Sequence, residues 1–357
     1  MNIHVVRSVK GGSGKTCFAL HKSVYLSVGE KDEKKVLYID ADVHASETMS
    51  MMMHKEAGNL DKVLNPDIHT CVCFDKDYDV FIKDSPHTLN SYMHPYRGYI
   101  SNFKDIIIAG KVFNAKEYKD LRDKASIRSS LDFIFADPTN KGRAVFENMY
   151  QSSGTSAIGL GLYVAKMKTL LRLAASHEYD DIVIDMPPGS DTFSSHLMDC
   201  ATDFVSDNDS KHRLHVYYVA GSDKSHIRSS AKAAIEQHLH LMRKSTPCEV
   251  CFVFNNVNSD TDNVNSGTGE GTSGTGKGTG GTKPITCKDR ADFIKEVSEL
   301  IKGEYTEAKL ELNRLSYYVI EKDAPYYNFV RDSGNHAVVF KDATIIKKLQ
   351  PEDKYDD

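Results

Sequence analysis

Tryptophan is absent from this chain of 357 residues, so its aromatic volume comes from 18 Tyr and 15 Phe. Long apolar runs are missing too: no stretch approaches the ~18 consecutive apolar residues needed to cross a bilayer. The opening Met1-Asn2-Ile3-His4-Val5-Val6-Arg7 lacks the apolar core of a signal peptide. There is no excess of positive charge, the formal net charge being -5, which excludes a global basic field for holding nucleic acid but not a local basic face. Seven unevenly spaced Cys do not make a disulfide framework. A reducing cytoplasm is the expected setting.

What is present is ordinary globular composition, 40% hydrophobic and 27% charged, enough for a sizeable core. The length is large for one domain but suits a single α/β unit carrying insertions. Ile3 to Val6 reads as a short strand running into a glycine loop, and Thr16 to about Val28 has helical spacing of apolar residues. Val36-Leu37-Tyr38-Ile39, closed by Asp40, reads as a second strand. Strand, loop, helix, strand is a βαβ unit, which implies a parallel sheet. The alternation resumes with strands at Leu131–Phe135, Ile182–Ile184, Leu214–Val219, Val250–Phe254 and Tyr317–Ile320. Helices are expected at Leu162–Ser176, Lys224–Arg243, Arg290–Ile301 and about Ala337–Leu349.

Two regions break the pattern. Residues 55–130 are polar and irregular, with one strand candidate at Ile106-Ile107-Ile108, and read as an insertion or small subdomain. Residues 259–284 include a run from Ser266 to Thr282 made only of Gly, Thr, Ser, Glu and Lys. Such a composition buries nothing to offset its ordering entropy, so a flexible low-complexity surface loop is expected. Chance matches to a dinucleotide fingerprint (Gly269 to Gly274) and to a phosphate loop (Gly271 to Lys277) inside it are artefacts of composition.

The chemistry sits in Lys10-Gly11-Gly12-Ser13-Gly14-Lys15-Thr16. A phosphate-binding loop needs glycines so that backbone N–H groups can curl around anionic oxygens. It also needs a Lys for the β/γ-phosphates and a Ser/Thr hydroxyl for Mg²⁺. Placed between a strand and a helix, the loop gains the dipole of the helix N-terminus. With Cys17 as the next residue, Gly11 to Cys17 is the expected nucleotide-binding set.

The additional lysine at position 10 makes the loop resemble the deviant Walker A family of ParA and MinD ATPases. That resemblance implies a doubly wound, mostly parallel sheet flanked by helices, with ATP and Mg²⁺ as ligands. It implies a homodimer that sandwiches ATP, Lys10 reaching across the interface to the partner's phosphates. A cation supplied in trans can be worth ~10³-fold or more in phosphoryl transfer. Ser13 is a departure, since an aliphatic residue is common there. Ile39-Asp40-Ala41-Asp42 is similar to the family's Asp-x-Asp, which implies Asp40 near the Mg²⁺ shell and Asp42 on the attacking water. Tyr179 to Gly189, with Asp185 followed by Met186-Pro187-Pro188-Gly189, resembles Walker B and switch II, so Thr16, Asp40 and Asp185 form the expected metal set. Phe252-Val253-Phe254-Asn255 resembles the strand that ends in an adenine-reading Asn, with Asn256 as the neighbouring alternative. The segment Tyr318 to Pro325 followed by Gly334 resembles the family's last strand and adenine-side loop.

Other signals are weaker. Cys248-Glu249-Val250-Cys251 and the pair Cys71 and Cys73 read as buried thiols rather than a metal site. Met49, Met51, Met52 and Met53 read as core packing ahead of a partner contact. His226, Arg228, Lys232, Arg243 and Lys244 give one helix positive charge, either a solvated face or a surface for non-specific DNA. No amphipathic membrane helix closes the chain, so no membrane anchor is expected. The resulting expectation is a slow, dimerising switch ATPase in one domain spanning 1–357. It would partition or position DNA or another cargo, with a protein partner stimulating hydrolysis. A regulatory ATPase acting only through a partner, a metallochaperone or maturation ATPase, and a small-molecule ligase or kinase are the rival classes.

Overall fold

The computed structural model describes residues 1–28, 34–42, 89, 108–109, 131–134, 136, 156–189, 192–207, 211–221, 223–257, 290–302, 308–321 and 347–349. The strands are β1 (Asn2–Arg7), β2 (Val36–Asp40), β3 (Ile108–Ala109), β4 (Leu131–Ile134), β5 (Asp181–Asp185), β6 (Arg213–Ala220), β7 (Cys248–Val257), β8 (Ser316–Glu321) and β9 (Lys347–Leu349). The helices are α1 (Lys15–Val28), α2 (Ser156–Ser176), α3 (Thr192–Ser206), α4 (Lys224–Arg243), α5 (Arg290–Leu300) and α6 (Ala308–Asn313).

These strands form one sheet in the order β3-β4-β2-β5-β1-β6-β7-β8-β9. From β4 to β8 every pairing is parallel, and β3 and β9 close the two edges antiparallel. The central strands are apolar on both faces because helices cover both sides, as parallel sheets require. Ile3, Val5, Ile39, Ile182, Ile184, Val216 and Phe252 join the core that includes Leu170, Ala201, Ile235 and Phe293 of α2, α3, α4 and α5. The intervening residues face the other way, where Phe18 of α1 packs against Tyr217 at a ring distance of 5.2 Å. The expected doubly wound, mostly parallel α/β fold is therefore observed.

The α1 face carries an unusual polar row at the N-terminal ends of the strands. His4 stacks on His215 with ring centroids 4.7 Å apart, and its Nε2 lies 3.0 Å from Asp181 Oδ1. Asn2 donates to the same carboxylate oxygen at 2.7 Å, while His215 Nδ1 lies 3.0 Å from Glu249 Oε2. The Tyr217 hydroxyl lies 3.2 Å from His4 Nδ1, so a neutral imidazole accepts there and donates to Asp181. Burial lowers His4 from 6.5 to about 4, its hydrogen bond to Asp181 only partly opposing that. Asp181 is held below its usual range because His4, Asn2 and Lys34 outweigh the burial that would raise it.

Apart from α2, which begins at Ser156 rather than Leu162, the strand and helix expectations fall within a few residues of these bounds, with three differences. The strand expected at Ile106–Ile108 is observed as Ile108–Ala109. The helices α3 and α6 have no counterpart in the sequence reading. Of the last helix, expected at about Ala337–Leu349, residues 337–346 lie outside the described residues, and its end is corrected: Lys347–Leu349 is an edge strand pairing antiparallel with β8. Three residues such as Lys347 to Leu349 carry no period that separates the two elements, and an open sheet edge decides it here. The insertion 55–130 apart from Leu89 and β3, the Gly/Thr loop, the Met cluster, Cys71, Cys73 and Gly334 lie outside the described residues.

Candidate functional site

The sheet topology gathers the motif residues at one edge, the C-terminal ends of the parallel strands, where α/β sheets bind ligands. β1 leads into the loop before Lys15, β2 ends at Asp40, β5 ends at Asp185 and β7 carries Asn255 near its end. The β2–β5–β1 pairing sets Asp40 beside Asp185 and Val6 beside Asp185. Two backbone bonds fix the level: Ala41 N–H donates to the Asp185 carbonyl at 2.8 Å, and Met186 N–H to Val6 at 3.0 Å.

The glycines of the loop are required by geometry. Gly12 and Gly14 have φ of 75° and 84°, a region that L side chains rarely adopt. At Gly14 space is lacking as well, since an added Cβ would lie 1.9 Å from Asn255 Nδ2. That amide nitrogen donates to the Ser13 carbonyl at 2.8 Å, bracing the loop from β7. Sequence reasoning assigned Asn255 to adenine; the structure shows it buried against the loop backbone.

Lys15 begins α1 and is almost wholly buried. Its Nζ donates to Asp185 Oδ1 at 2.7 Å and lies 3.7 Å from Asp42 Oδ2 and 3.4 Å from Thr16 Oγ1. Burial works to lower the Lys15 pKa, but Asp185, Asp42 and Asp40 outweigh it and hold the ammonium above its ordinary value. Burial also pushes Asp185 up, against the pull of Lys15 and Thr16. The two directions compete for one proton. Three carboxylates around a single ammonium place it on Lys15. Tyr38 steadies Asp185 from β2, its hydroxyl donating to Oδ2 at 3.2 Å. Asp42 N–H donates to Asp40 Oδ1 at 3.0 Å, tying the Asp-x-Asp pair together.

Ser8, Gly11 to Cys17, Asp42 and Pro188 line a cavity of about 240 Å³ in front of these groups. Its lining offers backbone N–H groups at a helix N-terminus, the Lys15 ammonium and the Thr16 hydroxyl as donors, and the Asp42 carboxylate as acceptor. That combination suits an anion accompanied by a hard cation. Among the described residues, no cluster of three His, Cys, Asp or Glu side chains is placed to hold a metal ion unaided. Lys10 is apart from the cavity lining. It is exposed, and its Nζ donates to Ser225 Oγ of α4 at 2.9 Å. Ser225 in turn donates to Asp223 at 2.6 Å, the carboxylate that caps the helix.

Three weaker expectations also meet the structure. Cys248 and Cys251 are not joined in a disulfide and lie three residues apart on β7, so strand alternation points them to opposite faces, against joint chelation. Of the basic residues, Arg228, Arg243 and Lys244 are exposed, but Lys244 lies 3.8 Å from both Asp199 and Asp203. Among the described residues no helix is long and apolar enough to cross a membrane. Ser8 and Tyr38 were not singled out from sequence, and their spacing from the motifs offers no signal.

No protein-family profile matches this chain. No curated protein matches it in sequence either. Comparison with solved structures finds similar chains at low identity. The septum site-determining protein MinD with Mg-ADP from Pyrococcus horikoshii is 13% identical, with 96% of this chain and 94% of that one covered at a TM-score of 0.46. An McdA–ATP complex from Cyanothece is 16% identical, covering 95% and 88% at 0.48. A ParA family ATPase from Chlorobium tepidum is 13% identical, covering 96% and 98% at 0.39.

Proposed function

We propose that this chain is a ParA/MinD-like ATPase that binds Mg-ATP, dimerises around it and hydrolyses it slowly as a switch. The observation that carries this is the caged Lys15: a buried ammonium at a helix N-terminus, held by Asp185 and Asp42 at the wall of an anion-suited cavity. An arriving triphosphate would draw Lys15 to its β/γ-oxygens. Asp185, Asp40 and the Thr16 hydroxyl would be left to the metal side of the site. Mg²⁺, when bound, neutralises phosphate charge as it develops in the transition state. Asp42 would then orient the attacking water, and Lys10 would leave Ser225 to reach the partner's phosphates.

The whole chain would act as one ATPase domain, with 55–130 as an inserted docking surface and 259–284 as a loop. A homodimer with a protein partner that stimulates hydrolysis is the assembly we infer, and cargo positioning in the cytoplasm is the expected role. Asn255 would meet the adenine side only in addition to its bond to Ser13.

Calorimetric titration with Mg-ATP tests the site: binding by the wild type and its loss in Lys15→Ala are expected. Equal affinity in the two proteins would remove the assignment. Salt-sensitive retention of DNA that requires ATP would favour partitioning of DNA, and its absence would favour action through a protein partner.

A further inference from the structure

The buried Asp185 carboxylate is held by donors of different kinds. Its Oδ1 accepts from the Lys15 ammonium at 2.7 Å and its Oδ2 from the Tyr38 hydroxyl at 3.2 Å. The Thr16 side chain also hydrogen-bonds to it. Of these three donors, Lys15 and Thr16 line the cavity and Tyr38 does not. Lys15 reaches the carboxylate on a flexible aliphatic stem, so an anion in the cavity can draw it away. Tyr38 has no such freedom. It is fully buried in the middle of β2, and its ring lies 5.8 Å from that of Phe133, its partner in register on β4. Register also explains its reach. Val183 stands opposite Tyr38, and Asp185 stands opposite Asp40. Side chains two apart on a strand share a face, so Tyr38 meets Asp185 on the diagonal, from the same face as Asp40.

We propose that Tyr38 is a positioning residue of the site: its hydroxyl holds Asp185 in place when Lys15 turns to the nucleotide, and so keeps that carboxylate available to the divalent cation that accompanies the phosphates. The inference rests on reading the cavity as a Mg-nucleotide site. Tyr38 acts through Asp185 and stands behind it, outside the cavity lining. A donor behind a carboxylate on the metal side fixes the orientation of that carboxylate, and losing such a donor costs about ten-fold in metal affinity. Only the hydroxyl is needed for this. Tyr38→Phe keeps the ring against Phe133 and removes the donor alone.

The test titrates the full-length protein and its Tyr38→Phe variant with ADP by calorimetry, over a series of Mg²⁺ concentrations. The Mg²⁺ concentration at which ADP affinity is half developed should rise about ten-fold in the variant, and excess Mg²⁺ should restore most of that affinity. A midpoint equal to that of the wild type would overturn the inference. So would a loss of ADP affinity that is the same at every Mg²⁺ concentration, the result that a purely structural role for Tyr38 requires. In either case, loss of binding in Lys15→Ala would leave the nucleotide site standing. Full binding by Lys15→Ala would remove the site itself, and this inference with it.

Discussion

The ammonium of Lys15 is shared between Asp185 at 2.7 Å and Asp42 at 3.7 Å, so the residue expected to hold phosphate is held by carboxylates. Removing it leaves buried carboxylates without their cation. Lys15→Ala should therefore lower ligand-free stability by about 3 kcal/mol, the range for breaking one side of a buried pair. Chemical denaturation measures this, and an unchanged midpoint would show that the pair contributes nothing to the fold.

Gly14 and Asn255 form a lock that can be opened from either side. Gly14→Ala should destabilise the loop through both its backbone angle and its collision with the Asn255 amide. Asn255→Ala in that background removes the collision and leaves the angle. The double variant should recover part of the stability lost by Gly14→Ala, with a coupling of about 1 kcal/mol in a double-mutant cycle. Additive effects would mean that the two residues do not meet.

Acid stability should report on the polar row under α1. His4 takes a proton at about pH 4 when folded and at 6.5 ordinarily. Between those values the unfolded chain binds a proton that the native chain refuses, so stability is complete above 6.5 and falls as pH drops toward 4. The full loss is about 3 kcal/mol. Asp181, also depressed, adds its own loss at lower pH still. His4→Gln cannot titrate, and its melting temperature should vary less from pH 6.5 to 4 than that of the wild type. Parallel curves would contradict the assignment.

Lys10 and Ser225 are joined by one exposed hydrogen bond, of the kind that contributes little to stability. Lys10→Ala should leave melting and nucleotide affinity nearly unchanged while slowing ATP turnover by ~10³-fold, as a cation acting in trans would require. Turnover at the wild-type rate would exclude that role.

The parts of this fold that were legible in the sequence are those written locally. The strand before the glycine loop, the loop and α1 are contiguous, and the apolar strands β2 and β5 end at Asp40 and Asp185. α3 was also written there, in the buried set Leu197, Ala201, Phe204 and Val205, but Ser and Thr at its start mask the period. The contacts that shape the site were not legible. Tyr38 to Asp185, Lys10 to Ser225 and Asn255 to Ser13 span 147, 215 and 242 residues, and only the sheet order brings them together. The polar row under α1 was hidden for the same reason, since His4, Asp181, His215 and Glu249 sit on four different strands.

Dimerisation around ATP is the claim on which the switch depends, and the mass of Asp42→Ala in solution with Mg-ATP measures it most directly. With the water-orienting carboxylate gone, the protein should accumulate as a dimer under Mg-ATP and return to a monomer under Mg-ADP. A monomer under saturating Mg-ATP would contradict the account.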